Sequence, residues 1–386
     1  MQWQLEPSIR HLNHGAFGAV PSIVADHQSA IRAEIARNPT RFFAREIEGR
    51  LDAARQDLAV FLGSDADALA WINNTTTGVN LVLRHIERQL GPGDEVLITS
   101  HEYNACRNAT EAMAARVGAT VRRAELPFPV ADAAAVAEAV LSNVTDSTRL
   151  VVLDHVTSQS AVVLPIERLV GQIEGSGIPT LVDGAHAPGM LELDLDSLGA
   201  SFYVGNCHKW LCAPHGAAFL RVAERHRDTI DPLVISHGWN DTRPERNRYR
   251  KLFDWIGTDD PSAVLSVPSA IEAVGAALPG GWPAVMRRNH ALALEGRRIV
   301  LDRIGGERAV PDDMIGTMAA IELPPAERPS EGIIDPLTGA IRESHRIEVP
   351  VFAFPESPRR VVRLSAQLYN TQDDYVALAG ALAHHL

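Results

Sequence analysis

The sequence predicts an α/β protein in which a mostly parallel sheet is followed by a smaller α+β domain. The middle of the chain alternates short β-rich runs with helical patterns, the order that a parallel sheet covered by helices requires. After residue 261 the pattern changes to one long helical stretch and then to strands of antiparallel appearance. A chain of 386 residues is long enough for two or three domains. We therefore predict a large domain of residues 16–261 and a small domain formed by 1–15 with 262–386.

The spacing of hydrophobic residues predicts where each helix and strand lies along the sequence. Short apolar runs predict strands, and apolar residues at helical spacing predict helices. In the large domain the predicted strands are 69–72, 95–99, 150–154, 179–183, 201–205 and 217–222, and the predicted helices are 76–89, 105–117, 131–141 and 166–174. In the small domain we predict helices 284–304 and 371–384, strands 316–323, 347–354 and 361–365, and a Pro-rich surface excursion at 324–336.

Charge and hydropathy narrow the class of partner. The 36 basic and 48 acidic side chains give a net charge of −12, which argues against non-specific attraction to nucleic acid or to anionic membranes. The sequence shows neither an apolar stretch of transmembrane length nor the layout of a signal peptide at its start. We expect a cytoplasmic protein that binds a small molecule, with no nucleic-acid or membrane partner.

The cysteines and lysines are few. Cys106, Cys207 and Cys212 are too few for a disulfide framework and match no common zinc spacing, so we predict buried thiols and no metal site. Of the 36 basic residues only Lys209 and Lys251 are lysines. Arginine cannot replace lysine where a neutral, nucleophilic amine is needed, because guanidinium stays protonated. Lys251 lies in a charged run typical of a solvated surface, so Lys209 is the candidate reactive amine.

Polar residues follow three successive parts of the predicted sheet, where ligands of open α/β sheets bind. Thr75 and Thr76 begin a helix, and its free backbone amides suit a phosphate, although such a cluster is also an ordinary helix cap. Asp183 ends a buried strand, where its carboxylate either caps the next turn or pairs with a protonated ring nitrogen of a cofactor. Lys209 follows the next strand, flanked by Trp210. A phosphate cradle, a carboxylate and a lysine together are what pyridoxal phosphate requires.

Ordered motifs over nearly the whole chain carry a resemblance to a known family. They are LNHGAFG, NNTTTGVN, SHEYNAC, DHVTSQSA, VDGAHAPG, GNCHKW, SHGWN, FDWIGTDDPS and VRLSAQLYNTQDDY. With them the sequence resembles the class V aminotransferases of fold-type I, and within that family the isopenicillin N epimerase-like branch. The resemblance implies the fold-type I PLP-transferase fold, pyridoxal 5'-phosphate as cofactor, an amino-acid substrate, and a homodimer with shared active sites.

The resemblance also implies roles for individual residues toward the cofactor. Lys209 would form the Schiff base, and Asp183 would pair with the pyridine nitrogen. Further cofactor contacts are implied to the phosphate from Thr75, Thr76, Asn206 and His208, near the 3-hydroxyl from His186 and Ser158, and across a dimer interface from Thr258.

Substrate binding and ring stacking are implied in the same way. Arg363 resembles the arginine that holds the substrate carboxylate, and its planar fork suits that bidentate contact. Asn13 and His14 would lie near the substrate. In SHEYNAC either His101 or Tyr103 is the catalytic ring over the pyridine face. We favour Tyr103 for stacking or proton delivery, and the alternative for His101 is a structural residue that closes the following helix.

Several reactions fit this family. Cysteine desulfurases of the class carry a catalytic cysteine shortly before the carboxylate arginine, whereas this chain has no cysteine after Cys212, so a persulfide mechanism is not expected. By analogy with C–S lyases of the branch, we expect β-elimination from a cysteine S-conjugate in secondary or sulfur metabolism. The alternatives are epimerisation of a peptide-like substrate, oxidative decarboxylation with deamination, and transamination. A non-catalytic protein with this fold is disfavoured, since Lys209 and Asp183 are both present.

Overall fold

The computed structural model describes residues 1–327 and 330–386, and it confirms the predicted α/β architecture. Its strands, in chain order, are β1 (Arg10–His11), β2 (Leu69–Ile72), β3 (Glu95–Thr99), β4 (Thr120–Ala124), β5 (Thr148–Asp154), β6 (Thr180–Asp183), β7 (Phe202–Asn206), β8 (Ala218–Val222), β9 (Met318–Leu323), β10 (Ile347–Glu348), β11 (Val351–Ala353) and β12 (Arg360–Ser365).

Helices cover both faces of the main sheet, and further helices lie near both ends of the chain. In chain order they are α1 (His14–Phe17), α2 (Ser22–Arg37), α3 (Pro39–Arg41), α4 (Ile47–Leu62), α5 (Thr75–Glu87), α6 (Asn104–Val117), α7 (Ala133–Leu141), α8 (Ile166–Gly175), α9 (Leu195–Leu198), α10 (Glu224–Arg227), α11 (Arg248–Phe253), α12 (Ser262–Leu265), α13 (Val267–Gly275), α14 (Gly281–Ile304), α15 (Leu337–His345) and α16 (Gln372–His385). Phe42–Glu46 forms a π-helical turn, and Ala66–Ala68, His237–Asn240 and Asp312–Met314 form 3₁₀ turns.

The main sheet has seven strands in the order β2-β8-β7-β6-β5-β3-β4, and β8 alone among them runs against its neighbours. Successive residues of its strands alternate between two hydrophobic clusters. Leu181 and Val204 pack on the side of α5 and α6, whereas Val182 and Tyr203 pack on the side of α4, α7 and α8. A sheet that is buried on both faces leaves its strand ends as the place for polar chemistry.

A second, three-stranded antiparallel sheet has the order β11-β12-β9. The predicted strand 347–354 is divided in two: β10 pairs in parallel with β1 near the N-terminus, and β11 pairs with β12. Helices α12 and α13, which follow the predicted domain boundary at residue 261, pack on α2 and α4, which precede it. The predicted domain boundaries stay a prediction.

The predicted surface excursion at 324–336 is mostly exposed where it is described, although Asp335 is buried. Arg328 and Pro329, which also fall in that predicted excursion, lie outside the described residues. Within the described ranges, none of the helices combines the length and the apolar content needed to cross a bilayer.

The N-terminal segment packs directly on the backbone around Lys209. Gly18 has φ +79° and ψ 156°, a region that only glycine adopts readily, and a Cβ there would lie 2.0 Å from the carbonyl oxygen of His208. Nearby, Nε2 of His14 donates a hydrogen bond to the carbonyl oxygen of Lys209 at 3.1 Å, while Nδ1 accepts one from the Tyr369 hydroxyl at 3.1 Å. The first residues of the chain therefore fix the position of the Lys209 segment.

Replacing Gly18 by alanine should therefore destabilise the protein. We expect Gly18→Ala to lower the free energy of unfolding by about 2 kcal/mol, through backbone strain and the collision with His208. Gly49→Ala is the matched control, because a Cβ at Gly49 in α4 meets no atom within 4 Å and alanine favours a helix. Urea unfolding measures both changes, and equal stability of Gly18→Ala and the parent protein would contradict the packing described.

Candidate active site

The candidate active site lies at the carboxyl ends of β6 and β7. Asp183 is the last residue of β6 and pairs in register with Val204 of β7. Asn206 ends β7, and Lys209 follows three residues later. Because the two strands are parallel neighbours, Asp183 and the Lys209 segment leave the sheet at the same edge.

The amine of Lys209 lies in a half-buried position beside a buried imidazole. Its Nζ is 3.2 Å from Nε2 of His186. Burial, followed by the charge of the Arg363 guanidinium, lowers the pKa of Lys209 to about 8, although Asp183 opposes the shift. More of the amine is therefore neutral near pH 7 than in an exposed lysine, which suits nucleophilic attack and proton abstraction.

Asp183 is held as a buried hydrogen-bond acceptor. One oxygen, Oδ1, accepts the backbone N–H of Ala185 at 2.8 Å, and the other, Oδ2, accepts the thiol of Cys106 at 3.1 Å. These donors fix the plane of the carboxylate. A buried carboxylate at this point is suited to pair with a protonated ring nitrogen.

Two further carboxyls, Glu102 and Asp154, surround Asp183, and the sequence reasoning missed both. Atoms of Glu102, Cys106 and Asp183 lie within 4.8 Å of one another, and both carboxyl oxygens of Glu102 are buried without a partner among the described residues. Burial, reinforced by Asp183, raises the pKa of Glu102 to about 8, and burial followed by Glu102 raises the pKa of Asp154 well above its usual range. Glu102 is therefore mostly protonated at neutral pH, and the environment of Asp154 also disfavours its charged form.

The start of α5 and the end of β7 form a cradle of hydrogen-bond donors. The backbone N–H of Thr75 donates to Oδ1 of Asn206 at 3.0 Å, and Nδ2 of Asn206 donates to the Thr75 hydroxyl at 3.2 Å. Thr76 follows in the first turn, whose N–H groups have no partner within the helix. His208 donates from Nδ1 to the carbonyl oxygen of Ala217 at 3.1 Å, and burial lowers its pKa to about 4. Its Nε2 is therefore unprotonated and can accept a hydrogen bond but not donate one to a phosphate.

Arg363 of β12 brings Ser158 and Asn13 together. Only 2% of Arg363 is exposed, and burial lowers its pKa to about 10, so it stays charged near pH 7. Nη1 donates to the carbonyl oxygen of Ser158 at 2.7 Å, and Nη2 donates to Oδ1 of Asn13 at 3.0 Å. The guanidinium lies over the Phe352 ring, 5.2 Å from its centroid. A buried cation with only neutral hydrogen-bond partners is suited to a carboxylate ligand.

The two ring candidates of SHEYNAC occupy different environments. His101 is buried, its Nδ1 lies 2.9 Å from the Ser160 hydroxyl, and its ring meets Phe128 and Phe354 edge-on. Tyr103 is 44% exposed, precedes α6, and lies close enough to Asp183 and Arg363 for their charges to affect its pKa. The ring of Tyr103 is thus more exposed than that of His101. The side-chain hydrogen bond of His101 is made with Ser160 and not with the end of the following helix.

Two other predicted residues lie apart from the cluster around Lys209. Both ring nitrogens of His14 form hydrogen bonds, one with the Tyr369 hydroxyl and one with the backbone carbonyl of Lys209. His14 therefore contacts the backbone of the lysine segment and not the lysine amine. Thr258 is exposed, and its neighbour Gly257 lines a cavity together with Asn73, next to the start of α5.

These side chains fit pyridoxal 5'-phosphate on their own chemistry. The first turn of α5 and the amide of Asn206 offer donors for a phosphate, and Asp183 offers a hydrogen-bonded carboxylate for the ring nitrogen. Lys209 offers the amine for the aldehyde.

Comparison with known proteins gives the family. The family model described as Aminotransferase class-V matches residues 24–378. The chain therefore belongs to the class V aminotransferases and is a pyridoxal 5'-phosphate-dependent enzyme, as the motifs predict.

Individual relatives cover almost the full length of the chain. Isopenicillin N epimerase of Amycolatopsis lactamdurans is 35% identical over 99% of this chain and 96% of its own length. L-cysteine desulfhydrase of Arabidopsis thaliana is 28% identical over 98% of this chain and 88% of its own length. The solved structure of a cystine C–S lyase with its product cysteine persulfide has a TM-score of 0.81 at 21% identity, covers 98% of both chains, and shares the fold.

The protonated Glu102 predicts a pH dependence of stability. Its pKa of about 8 in the folded protein exceeds the ordinary value of 4.5, so its contribution to stability is present below pH 4.5 and is lost as the pH rises through 8. In Glu102→Gln this loss should disappear, so the free energy of unfolding should fall less between pH 5 and pH 9 than in the parent protein. Asp154 contributes in the same direction, so some decline remains.

Denaturant unfolding of the cofactor-free protein at several pH values measures this effect. Glu343→Gln, at an exposed position of α15, is the control and should keep the parent profile. An unchanged profile in Glu102→Gln would show that Glu102 is ionised throughout this range.

Proposed function

We propose that the protein cleaves the C–S bond of a cysteine S-conjugate by β-elimination. One substrate and one water would give a thiol, pyruvate and ammonia. The observation that carries the proposal is that a lysine with a lowered pKa and a buried arginine with neutral partners lie in one site, while all three cysteines are buried.

The protein side chains would divide the work at the substrate. Arg363, oriented by Asn13 and Ser158, would hold the α-carboxylate. Lys209 would then remove the Cα proton as general base. The bound cofactor supplies an electron sink for the charge that develops at Cα.

The fate of the sulfur distinguishes this proposal from desulfurase chemistry. Cys106, Cys207 and Cys212 are all buried free thiols, and burial raises the pKa of each. None is a candidate for an exposed thiolate that accepts sulfur from the substrate. The leaving thiol would therefore pass to solvent. The similarity to an L-cysteine desulfhydrase over nearly the whole chain supports cleavage of a C–S bond.

Epimerisation is the second candidate, because isopenicillin N epimerases are 34–35% identical over nearly the whole chain. That reaction needs a second proton carrier opposite Lys209. Tyr103, with its partly exposed hydroxyl-bearing ring near Asp183 and Arg363, is the residue that would fill this role.

The proposal includes a homodimer with shared active sites. Thr258 and Ile256 are exposed, and Gly257 between them lines a cavity with Asn73 beside the helix start that would hold the phosphate. A partner's segment 256–258 placed against that helix start would complete the phosphate contacts.

Product analysis in deuterated water tests the proposed reaction. The purified holoenzyme is incubated with a panel of cysteine S-conjugates and intact α-amino acids, followed by mass spectrometry and a pyruvate assay. We expect pyruvate and a released thiol in equal amounts. Deuterium at Cα with an intact carbon skeleton and inverted configuration would instead establish an epimerase.

Replacing Arg363 by lysine should weaken substrate binding selectively. Loss of the planar fork is expected to raise KM for the amino acid about 10- to 100-fold while the visible absorption of the bound cofactor persists. Arg287→Lys, exposed on α14, is the matched control and should behave as the parent enzyme. Steady-state kinetics measure both, and an unchanged KM in Arg363→Lys would remove this residue from substrate binding.

A further inference from the structure

Three side chains form a chain of contacts that ends at the reactive amine. The indole Nε1 of Trp210 lies 3.3 Å from Nδ1 of His186, and Nε2 of the same imidazole lies 3.2 Å from Nζ of Lys209. Trp210 and His186 are 1% and 3% exposed. The imidazole is thus enclosed between an indole N–H and the lysine amine.

The indole determines which nitrogen of His186 carries the proton. An indole N–H is only a donor, so Nδ1 must accept and be unprotonated. Burial, followed by the charges of Lys209 and Arg363, lowers the pKa of His186 well below its usual range, so the ring stays neutral. A neutral imidazole has one proton, which must therefore be on Nε2 and face Nζ of Lys209.

A donor at this position discriminates between the two forms of the lysine. A neutral amine has a lone pair that can accept a hydrogen bond from the Nε2–H of His186. An ammonium group has only donors, so its N–H groups would be repelled by the Nε2–H. With the opposite tautomer, Nε2 would accept from the ammonium and stabilise the charged form. The tautomer of His186 therefore affects how much neutral amine Lys209 offers.

We propose that Trp210 is a positioning residue for Lys209, acting by fixing the His186 tautomer that presents a donor to the lysine amine. The proposal rests on the proposed function only in taking Lys209 as the reacting amine. It extends that function by giving Trp210 and His186 a defined part in preparing the amine.

The other groups around Lys209 stay in place when only the indole is changed. Burial and then Arg363 lower the pKa of the lysine, whereas Asp183 raises it, and Cys106 and Asp154 also lie nearby. None of these four side chains contacts the indole nitrogen. Phenylalanine at position 210 would keep an aromatic ring against His14, whose ring centroid is now 4.9 Å from that of Trp210. Trp210→Phe therefore removes mainly the N–H donor.

The rate at which the full-length apoprotein captures pyridoxal phosphate, measured against pH, tests the proposal. Only the neutral amine attacks the aldehyde, so the midpoint of the rate profile reports the ionisation of Lys209. We expect Trp210→Phe to move this midpoint upward by about one pH unit, a tenfold loss of neutral amine at a given lower pH. Trp71→Phe removes an indole that donates to the carbonyl oxygen of Leu51 elsewhere, and it should leave the midpoint unchanged.

The same substitution in a His186→Gln variant distinguishes an effect on the His186 tautomer from an effect on packing. In His186→Gln the side-chain amide can donate to Nζ whatever occupies position 210, so adding Trp210→Phe should no longer move the midpoint. A rate that falls at every pH with a constant midpoint in Trp210→Phe alone would mean that the indole only fills space, and the proposal would be wrong.

A measurement on the unaltered sequence covers the case in which Trp210→Phe does not fold. Nitrogen-15 NMR of histidine-labelled protein, with the His186 signals assigned by their loss in His186→Gln, should show the proton on Nε2. A proton on Nδ1 would overturn the proposal. No amino-acid substrate enters either experiment, so a failure of the elimination reaction leaves both results interpretable.

Discussion

The parallel pairing of β6 with β7 is the contact on which the site depends. It sets Asp183 and Val204 in register at the edge where both strands end. Asn206 and Lys209 then follow within a few residues, so the backbone hydrogen bonds of the sheet fix the relative positions of Asp183, Asn206 and the start of the Lys209 segment. The N-terminal segment secures the outer side of this arrangement through Gly18 and His14, which contact the backbone of residues 208 and 209.

Few side chains in this buried site carry a charge. Arg363 and Lys209 are its cations, and the pKa values of the neighbouring carboxyls Glu102 and Asp154 are raised because burial and nearby acidic groups disfavour further negative charge. Among the described residues, the guanidinium of Arg363 has only neutral hydrogen-bond partners. A substrate carboxylate would compensate that buried charge, so the same electrostatics that weaken the amine's affinity for protons also favour an amino-acid ligand.

The sequence predicted the parts of the site whose position follows from the sheet. Strands β2 and β3 have the predicted bounds, and Asp183 and Lys209 were found because polar residues at parallel strand ends meet at one edge. The scarcity of lysine identified Lys209 without any structure. Asp154 carried the same strand-end signal and was overlooked, although it is the register partner of Asp183. Glu102 and the Trp210–His186 contact gave no such signal, since they depend on how loops fold back over long distances. Strand β4 was missed because Arg122 and Arg123 make this edge strand unusually polar.

The assignment of Lys209 as the residue that holds the cofactor can be tested directly, because the chain contains only two lysines. The holoenzyme is reduced with borohydride, digested and mapped by mass spectrometry. Lys251, whose Nζ donates to the carbonyl oxygen of Asp241, serves as the internal control. We expect the pyridoxyl mass on the peptide that contains Lys209 and none on the peptide that contains Lys251. A label on Lys251, or no labelled peptide from protein that retains its visible absorption, would contradict it.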